Sequence, residues 1–154
     1  MTHESFTRRV IAMEATLYRV AATLLRRPCD REDAVQEALA QAWQHRASLR
    51  EEAAFPGWII RILVNTCHGM GRKRRREIIA DVLPQDNPPG ETPVYRLFSS
   101  LEEKYRLPMV LHYVEGYSVA DVAAMLHRPV NTVKSQLMRG RARLRALLEE
   151  EELL

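Results

Sequence analysis

Residues 116–148 read GYSVADVAAMLHRPVNTVKSQLMRGRARLRALL. Ser118 with Asp121 three residues on has the form of a capping box, which starts a helix by giving its free backbone N–H groups an oxygen partner. That predicts a short helix from Val119 to Leu126. His127-Arg128-Pro129 breaks it, because Pro has no backbone donor and restricts the residue before it. A longer helix is expected from about Asn131, with Val133, Leu137, Leu144 and Leu148 turned inward. Gly140 falls on its seam, where another helix can approach closely. Gly116 suits the C-terminus of the preceding helix. A short helix, a three-residue turn and a longer basic helix form the helix-turn-helix pattern.

The outer side of the longer helix carries Thr132, Ser135, Gln136, Arg139 and Arg143, flanked by Lys134, Arg141 and Arg145. The first half of such a helix fits a major groove, where Ser, Thr, Gln and Arg meet base edges and further arginines reach phosphates. The alternative is a solvated charged face. Against it stand the turn geometry and the lack of any acid over residues 130–148.

Upstream, PQDNPPGETP at 84–93 holds four of the eight prolines. It reads as a linker, acidic throughout 77–93, between two compact helical units at 1–76 and 94–154. The fold class is therefore all-α: two small helical domains joined by a Pro-rich linker, the C-terminal one a helix-turn-helix. The second unit is expected to be helical from about Thr92 to Glu149.

The first unit reads as three helices. Phe6, Val10, Met13, Leu17, Val20 and Leu24 form one apolar stripe, and Pro28 is expected to end that helix. Asp30 is expected to cap the second, whose buried face is Val35, Leu39, Ala42 and Trp43. Its outer face (Asp33, Gln36, Glu37, Ala40 and Gln44) is acidic and polar, with a small residue at the centre that can admit another protein's helix. A loop over Arg46 to Phe55 follows. Pro56 suits the first turn of a third helix, with Trp58, Ile59, Ile62, Leu63 and Thr66 inward. Opposite them run Arg61, Asn65, His68 and Arg72, continued by Lys73 to Arg76. Phe55 or Trp58 could stack on an unpaired base. Gly69 and Gly71 are expected to weaken the end of this helix.

Charge follows the same division. The 154 residues sum to +3, but residues 58–76 hold six basic and no acidic side chains, and residues 130–148 hold five basic and none acidic. Residues 77–93 carry four acids and 149–154 four more, each without a base. Two basic islands parted by an acidic spacer point to two contacts with a polyanion. The longest apolar run, Trp58 to Val64, contains Arg61 and cannot span a bilayer, and the N-terminus lacks a secretory signal's apolar core. Two isolated cysteines make neither a disulfide framework nor a zinc site, so a cytoplasmic setting is expected. No phosphate loop, nucleophile elbow or paired carboxylates assemble. The expectation is a non-enzyme with no metal and no cofactor.

Three segments resemble the extracytoplasmic-function (group IV) sigma factors of bacterial RNA polymerase, within the sigma-70 family. DREDAVQEALAQAW at 30–43 is similar to the family's polymerase-binding helix. FPGWIIRILVNTCHGMGRKRRR at 55–76 is similar to its helix for −10 recognition and melting, and 101–148 to its −35-binding domain almost end to end. The resemblance implies that Asp33, Gln36 and Glu37 face core RNA polymerase, and Ala40 on the same outer face is expected to join them. It implies that the 46–55 loop holds a flipped-out base and that Arg61 and Asn65 lie beside the −10 DNA, where Phe55, Trp58, His68 and Arg72 are expected from the same helix. It places Asn131, Thr132, Lys134, Ser135 and Arg139 at the −35 groove, with Gln136 expected there from its place on the same face. Core polymerase and promoter DNA are the implied partners, an anti-sigma factor a family-level expectation. Two departures bear on promoter sequence: Gly69 where the family often has Asp, and Gln136 where Arg is frequent. The 17-residue linker reaches about 56–61 Å when extended, so with the breadth of the domains the islands can touch sites about two turns apart. The alternative function is a free-standing dimeric helix-turn-helix regulator. A nucleic-acid-modifying enzyme is a third.

Overall fold

The computed structural model describes residues 1–77 and 97–152, and side-chain surroundings within 1–73 and 97–150. The expectations for the linker, the side chains of Arg74 to Arg76 and the end of the acidic tail lie outside those residues. Among the described residues every regular element is helical, and the chain divides into two compact units, Met1–Asp86 and Asn87–Leu154.

The first unit is three helices: α1 (His3–Leu24), α2 (Pro28–Gln44) and α3 (Phe55–Glu77). Thr2 caps α1, its Oγ1 accepting from Ser5 N–H at 3.1 Å, which supplies one of the partners that a helix start lacks. The α1 stripe is confirmed at its centre, where Leu17 and Val20 are buried, while Val10, Met13 and Leu24 are half-buried. Pro28 does not end α1. It opens α2 at the first helical position, where its fixed φ favours the helix and its missing donor costs little. Asp30 consequently sits in the first turn of α2, buried, and Arg27 occupies the cap position. The buried face of α2 is Ala34, Val35, Ala38 and Ala42, with Leu39 and Trp43 only half-buried. These small residues let α3 lie close.

α3 is packed on two partners, α1 and α2, so its buried arc is wider than one stripe. Phe55, Ile59, Ile60, Leu63, Val64, Thr66 and Cys67 are all buried. Trp58 and Ile62 are half-buried instead. The helix continues through Gly69 and Gly71 to Glu77 without a break.

The second unit contains α4 (Glu103–Met109), a turn of π-helix (Val110–Val114), α5 (Val119–Leu126) and α6 (Val130–Glu152). Buried Pro108 lies inside α4 and removes one ladder donor just before the π turn widens the helix. Gly116 then adopts φ 81°, the left-handed conformation favoured at a helix end, and the His112 ring bonds Tyr117 O at 2.7 Å across the turn. Ser118 caps α5, its Oγ accepting from Asp121 N–H at 3.1 Å. The core joins Phe98, Leu101, Leu107, Val110, Leu111, Val122 and Met125 to Val133 and Leu137 of α6. Gly140 is buried on the seam as expected: a Cβ there would lie 3.2 Å from Met109 Cγ and 3.4 Å from Tyr105 Cβ. Leu148 does not face inward. It is 39% exposed, and Leu147 is half-buried in its stead, while Leu144 is half-buried on the expected side.

Candidate nucleic-acid and polymerase interfaces

The three-residue turn between α5 and α6 is built around His127, which takes φ 54° and ψ 44°. A side chain disfavours this left-handed conformation; here it aims α6 across α5. Arg128 in the same turn donates from Nη1 to Gln136 Oε1 at 3.0 Å, fixing the turn to the second turn of α6. Burial draws the Arg128 guanidinium below its ordinary value, opposed by Glu103.

The outer face of α6 assembles largely as its spacing implies. Asn131, Thr132, Ser135, Gln136 and Arg139 line one open depression of about 390 Å³, together with Lys104 and Tyr105 of α4. Lys134 is exposed but lies outside that depression. Gln136 is the constrained member: its amide oxygen is already taken by Arg128, which leaves its NH₂ to donate. Lys104 and Tyr105 were not singled out from the sequence. Lys104 stands in a charge-balanced stretch, and only the packing of α4 on α6 brings it to this surface.

In the first unit Arg61, Asn65 and Arg72 are exposed along α3 and His68 is half-buried. Nothing lies within 4 Å of a Cβ built at Gly69 or Gly71, so this end of the polar stripe is open. Phe55 corrects the stacking expectation. It is 1% exposed, packed edge-on to Phe6 at 6.0 Å between ring centroids and 5.8 Å from Trp58. Its ring is core and has no free face for a base. Trp58, half-buried at the edge of the same cluster, retains surface.

The 46–55 loop forms two short 3₁₀ turns, Arg46–Ser48 and Glu52–Ala54. Both are fastened. Arg46 donates to Trp43 O at 2.7 Å with its guanidinium 3.9 Å over the Trp43 ring. Glu52 accepts from Ser5 Oγ at 3.1 Å and from Arg9 Nη2 at 3.0 Å, and the bonds from Arg9 and Ser5 hold its carboxyl below the usual glutamate value. On α2, Asp33, Gln36, Glu37 and Ala40 are all exposed, on the side opposite Ala34, Val35 and Ala38. Gln41 Nε2 donates to Glu37 Oε1 at 3.1 Å. Among the described residues no cluster of His, Cys, Asp and Glu is arranged to hold a metal, and no helix is long and apolar enough to cross a membrane.

Two helical units, one a helix-turn-helix with a basic polar face and the other presenting a polar stripe beside an acidic helix, define an all-α protein of the helix-turn-helix class. Comparison agrees with both halves. Residues 10–77 match the model for sigma-70 region 2 and residues 92–144 that for sigma-70 region 4. The chain is 36% identical over 141 residues to the ECF RNA polymerase sigma factor SigM of Mycobacterium tuberculosis, covering 86% of this chain and 71% of that one. SigW of Bacillus subtilis is 28% identical over 156 residues, covering 87% and 83%. The solved structure of RpoE from Bartonella quintana, in complex with the anti-sigma factor NepR, superposes with a TM-score of 0.78 at 27% identity, over 94% of this chain and 96% of that one. The chain belongs to the ECF sigma factors of the sigma-70 family, and it directs RNA polymerase to promoters.

Proposed function

We propose the following division of labour within that activity. The domain at 1–76 binds core RNA polymerase through Asp33, Gln36, Glu37 and Ala40, and engages the −10 element through Trp58, Arg61, Asn65, His68 and Arg72. The domain at 94–154 reads the −35 element through Asn131, Thr132, Lys134, Ser135, Gln136 and Arg139, with 77–93 as the spacer. The chain itself is not an enzyme. Polymerase supplies the catalysis and its metal, and the chain works in the cytoplasm where polymerase is. The observation that carries the reading is the convergence of five of the six −35 residues on one open depression. An anti-sigma factor is a further proposed partner, supported by the complex that the similar RpoE of Bartonella quintana forms with NepR. A free-standing dimeric regulator is less favoured, since it has no use for a region 2 match over residues 10–77.

Run-off transcription with purified core polymerase tests the whole. The chain is expected to confer promoter-dependent initiation. Gln36→Ala with Glu37→Ala is expected to weaken polymerase binding by about tenfold or more, as for central interface residues. Arg139→Ala should weaken −35 binding, while Asn65→Ala should chiefly slow opening. No initiation, with polymerase affinity indifferent to the α2 changes, would overturn the reading.

A further inference from the structure

Just ahead of α4, the Glu102 carboxylate lies 3.6 Å from Lys104 Nζ and 3.6 Å from Arg143 Nη1, with all three side chains more than half exposed. The ring of Tyr105 lies beneath both cations, its centroid 5.0 Å from Lys104 Nζ and 5.5 Å from Arg143 Cζ. Tyr105, Lys104 and Arg139 line the same depression. Burial pushes the Tyr105 phenol up, and the surrounding cations outweigh it and hold it below the ordinary value. Two cations thus pair with a single carboxylate, and one of them, Lys104, lines the depression together with Tyr105, Asn131, Ser135 and Arg139.

We propose that Lys104 and the Tyr105 hydroxyl bind a backbone phosphate of the duplex read by α6, and that Glu102 is that phosphate's built-in competitor, releasing Lys104 and Arg143 when DNA docks. The chemistry is matched. Ammonium, guanidinium and hydroxyl groups donate, and a phosphate oxygen is the acceptor that replaces the carboxylate. Exposed ion pairs at 3.6 Å are weak because water and salt screen them, so giving them up costs little. Neutralising a phosphate also releases condensed counterions, which a carboxylate cannot match. Tyr105 is the positioning residue. Its Cβ is packed against Gly140 of α6, which fixes the spacing between Lys104 and the face of α6 that carries Arg139.

This proposal rests on the −35 assignment above, and the test separates the two. The full chain selects a duplex from a randomised pool, and its binding to that duplex and to a scrambled one is measured across a salt series. Lys104→Ala is expected to weaken both duplexes by a similar factor and to reduce the salt slope by about 0.9, the value for one phosphate contact. Glu102→Gln is expected to tighten both by about two- to fivefold. Tyr105→Phe keeps the ring and should weaken both duplexes without unfolding the unit. An unchanged slope for Lys104→Ala, or no tightening for Glu102→Gln, would overturn the phosphate site. Failure of the wild-type chain to prefer any duplex would overturn the −35 assignment instead.

Discussion

The two helices proposed to face DNA have the same length, 23 residues each, and are held in opposite ways. α3 buries Phe55, Ile59, Ile60, Leu63, Val64 and Cys67 between two other helices, whereas among its described residues α6 buries only Val133, Leu137 and Gly140, all in its first half. At about 1.5–3 kcal/mol for each fully buried large side chain, α3 is anchored roughly two to three times more firmly. The difference suits the two proposed tasks. Holding bases out of a duplex requires a platform that does not yield, because unstacking costs a few kcal/mol. Reading an intact major groove needs only a correctly aimed helix start, and the rest of α6 is held more lightly, through half-buried Leu144 and Leu147 and the pairing of exposed Arg143 with Glu102.

The largest effect should come from cutting into the better anchored helix. Leu63→Ala leaves a cavity at a fully buried position and is expected to destabilise the first unit by about 2–5 kcal/mol, comparable with the roughly 3–5 kcal/mol that so small a core supplies. Both tryptophans, Trp43 and Trp58, lie in that unit, so tryptophan fluorescence in urea reports on it alone. The midpoint should collapse for Leu63→Ala and stay in place for Leu137→Ala, which should lower only a second, circular-dichroism transition. A shift of the fluorescence midpoint by Leu137→Ala would show that the units do not unfold independently.

The same substitution should have opposite signs in the two helices. At Gly140 a methyl group meets Met109 and Tyr105 in a packed core, and overpacking of about 1–3 kcal/mol outweighs the ~1 kcal/mol gained in helix propensity. At Gly69 nothing lies within 4 Å, so the propensity gain stands alone. Gly140→Ala is expected to lower the stability of the second unit by about 1 kcal/mol, and Gly69→Ala to raise that of the first by up to about 1 kcal/mol. Equal signs in thermal unfolding would mean that the α4–α6 seam is looser than its geometry.

These contrasts are partly legible in the sequence. Capping chemistry is local, so Ser118, Asp121 and Gly116 mark the ends of their helices, and the break at 127–129 places the recognition helix and its polar face. Pro28 misleads because a proline is as compatible with the first turn of one helix as with the end of another. Ile60, Val64 and Cys67 escape a one-stripe reading because α3 touches two helices. Leu148 and Leu147 are neighbours, and which of them turns inward depends on the angle of α6, set by the Gly140 contact. Phe55 looks free for stacking because an aromatic before a polar helix gives no sign of a ring seated against Phe6, 49 residues earlier. Lys104 and the Arg128–Gln136 bond need the packed unit to be seen at all.

The smallest expected effect concerns how the loop before α3 is held. Glu52 bridges to Ser5 and Arg9 of α1, and the hydrogen bonds from Arg9 and Ser5 lower its carboxyl below the ordinary 4.5. A folded-state value below the unfolded one stabilises the fold above the unfolded value, and the contribution disappears as pH falls through the folded value. The first unit should therefore lose a small part of its stability below about pH 4.5, as the carboxylate takes up a proton and releases Arg9. The carboxylate is exposed, so screening keeps the effect modest, and high salt should shrink it further. Glu52→Gln removes the titrating group while keeping an acceptor for Ser5. In that variant the fluorescence midpoint should be lower at neutral pH and fall less steeply in acid than in the parent chain. If parent and variant follow the same acid profile, the loop is held by Arg46 on Trp43 and the start of α3, and the firm anchoring of α3 extends to its loop without help from α1.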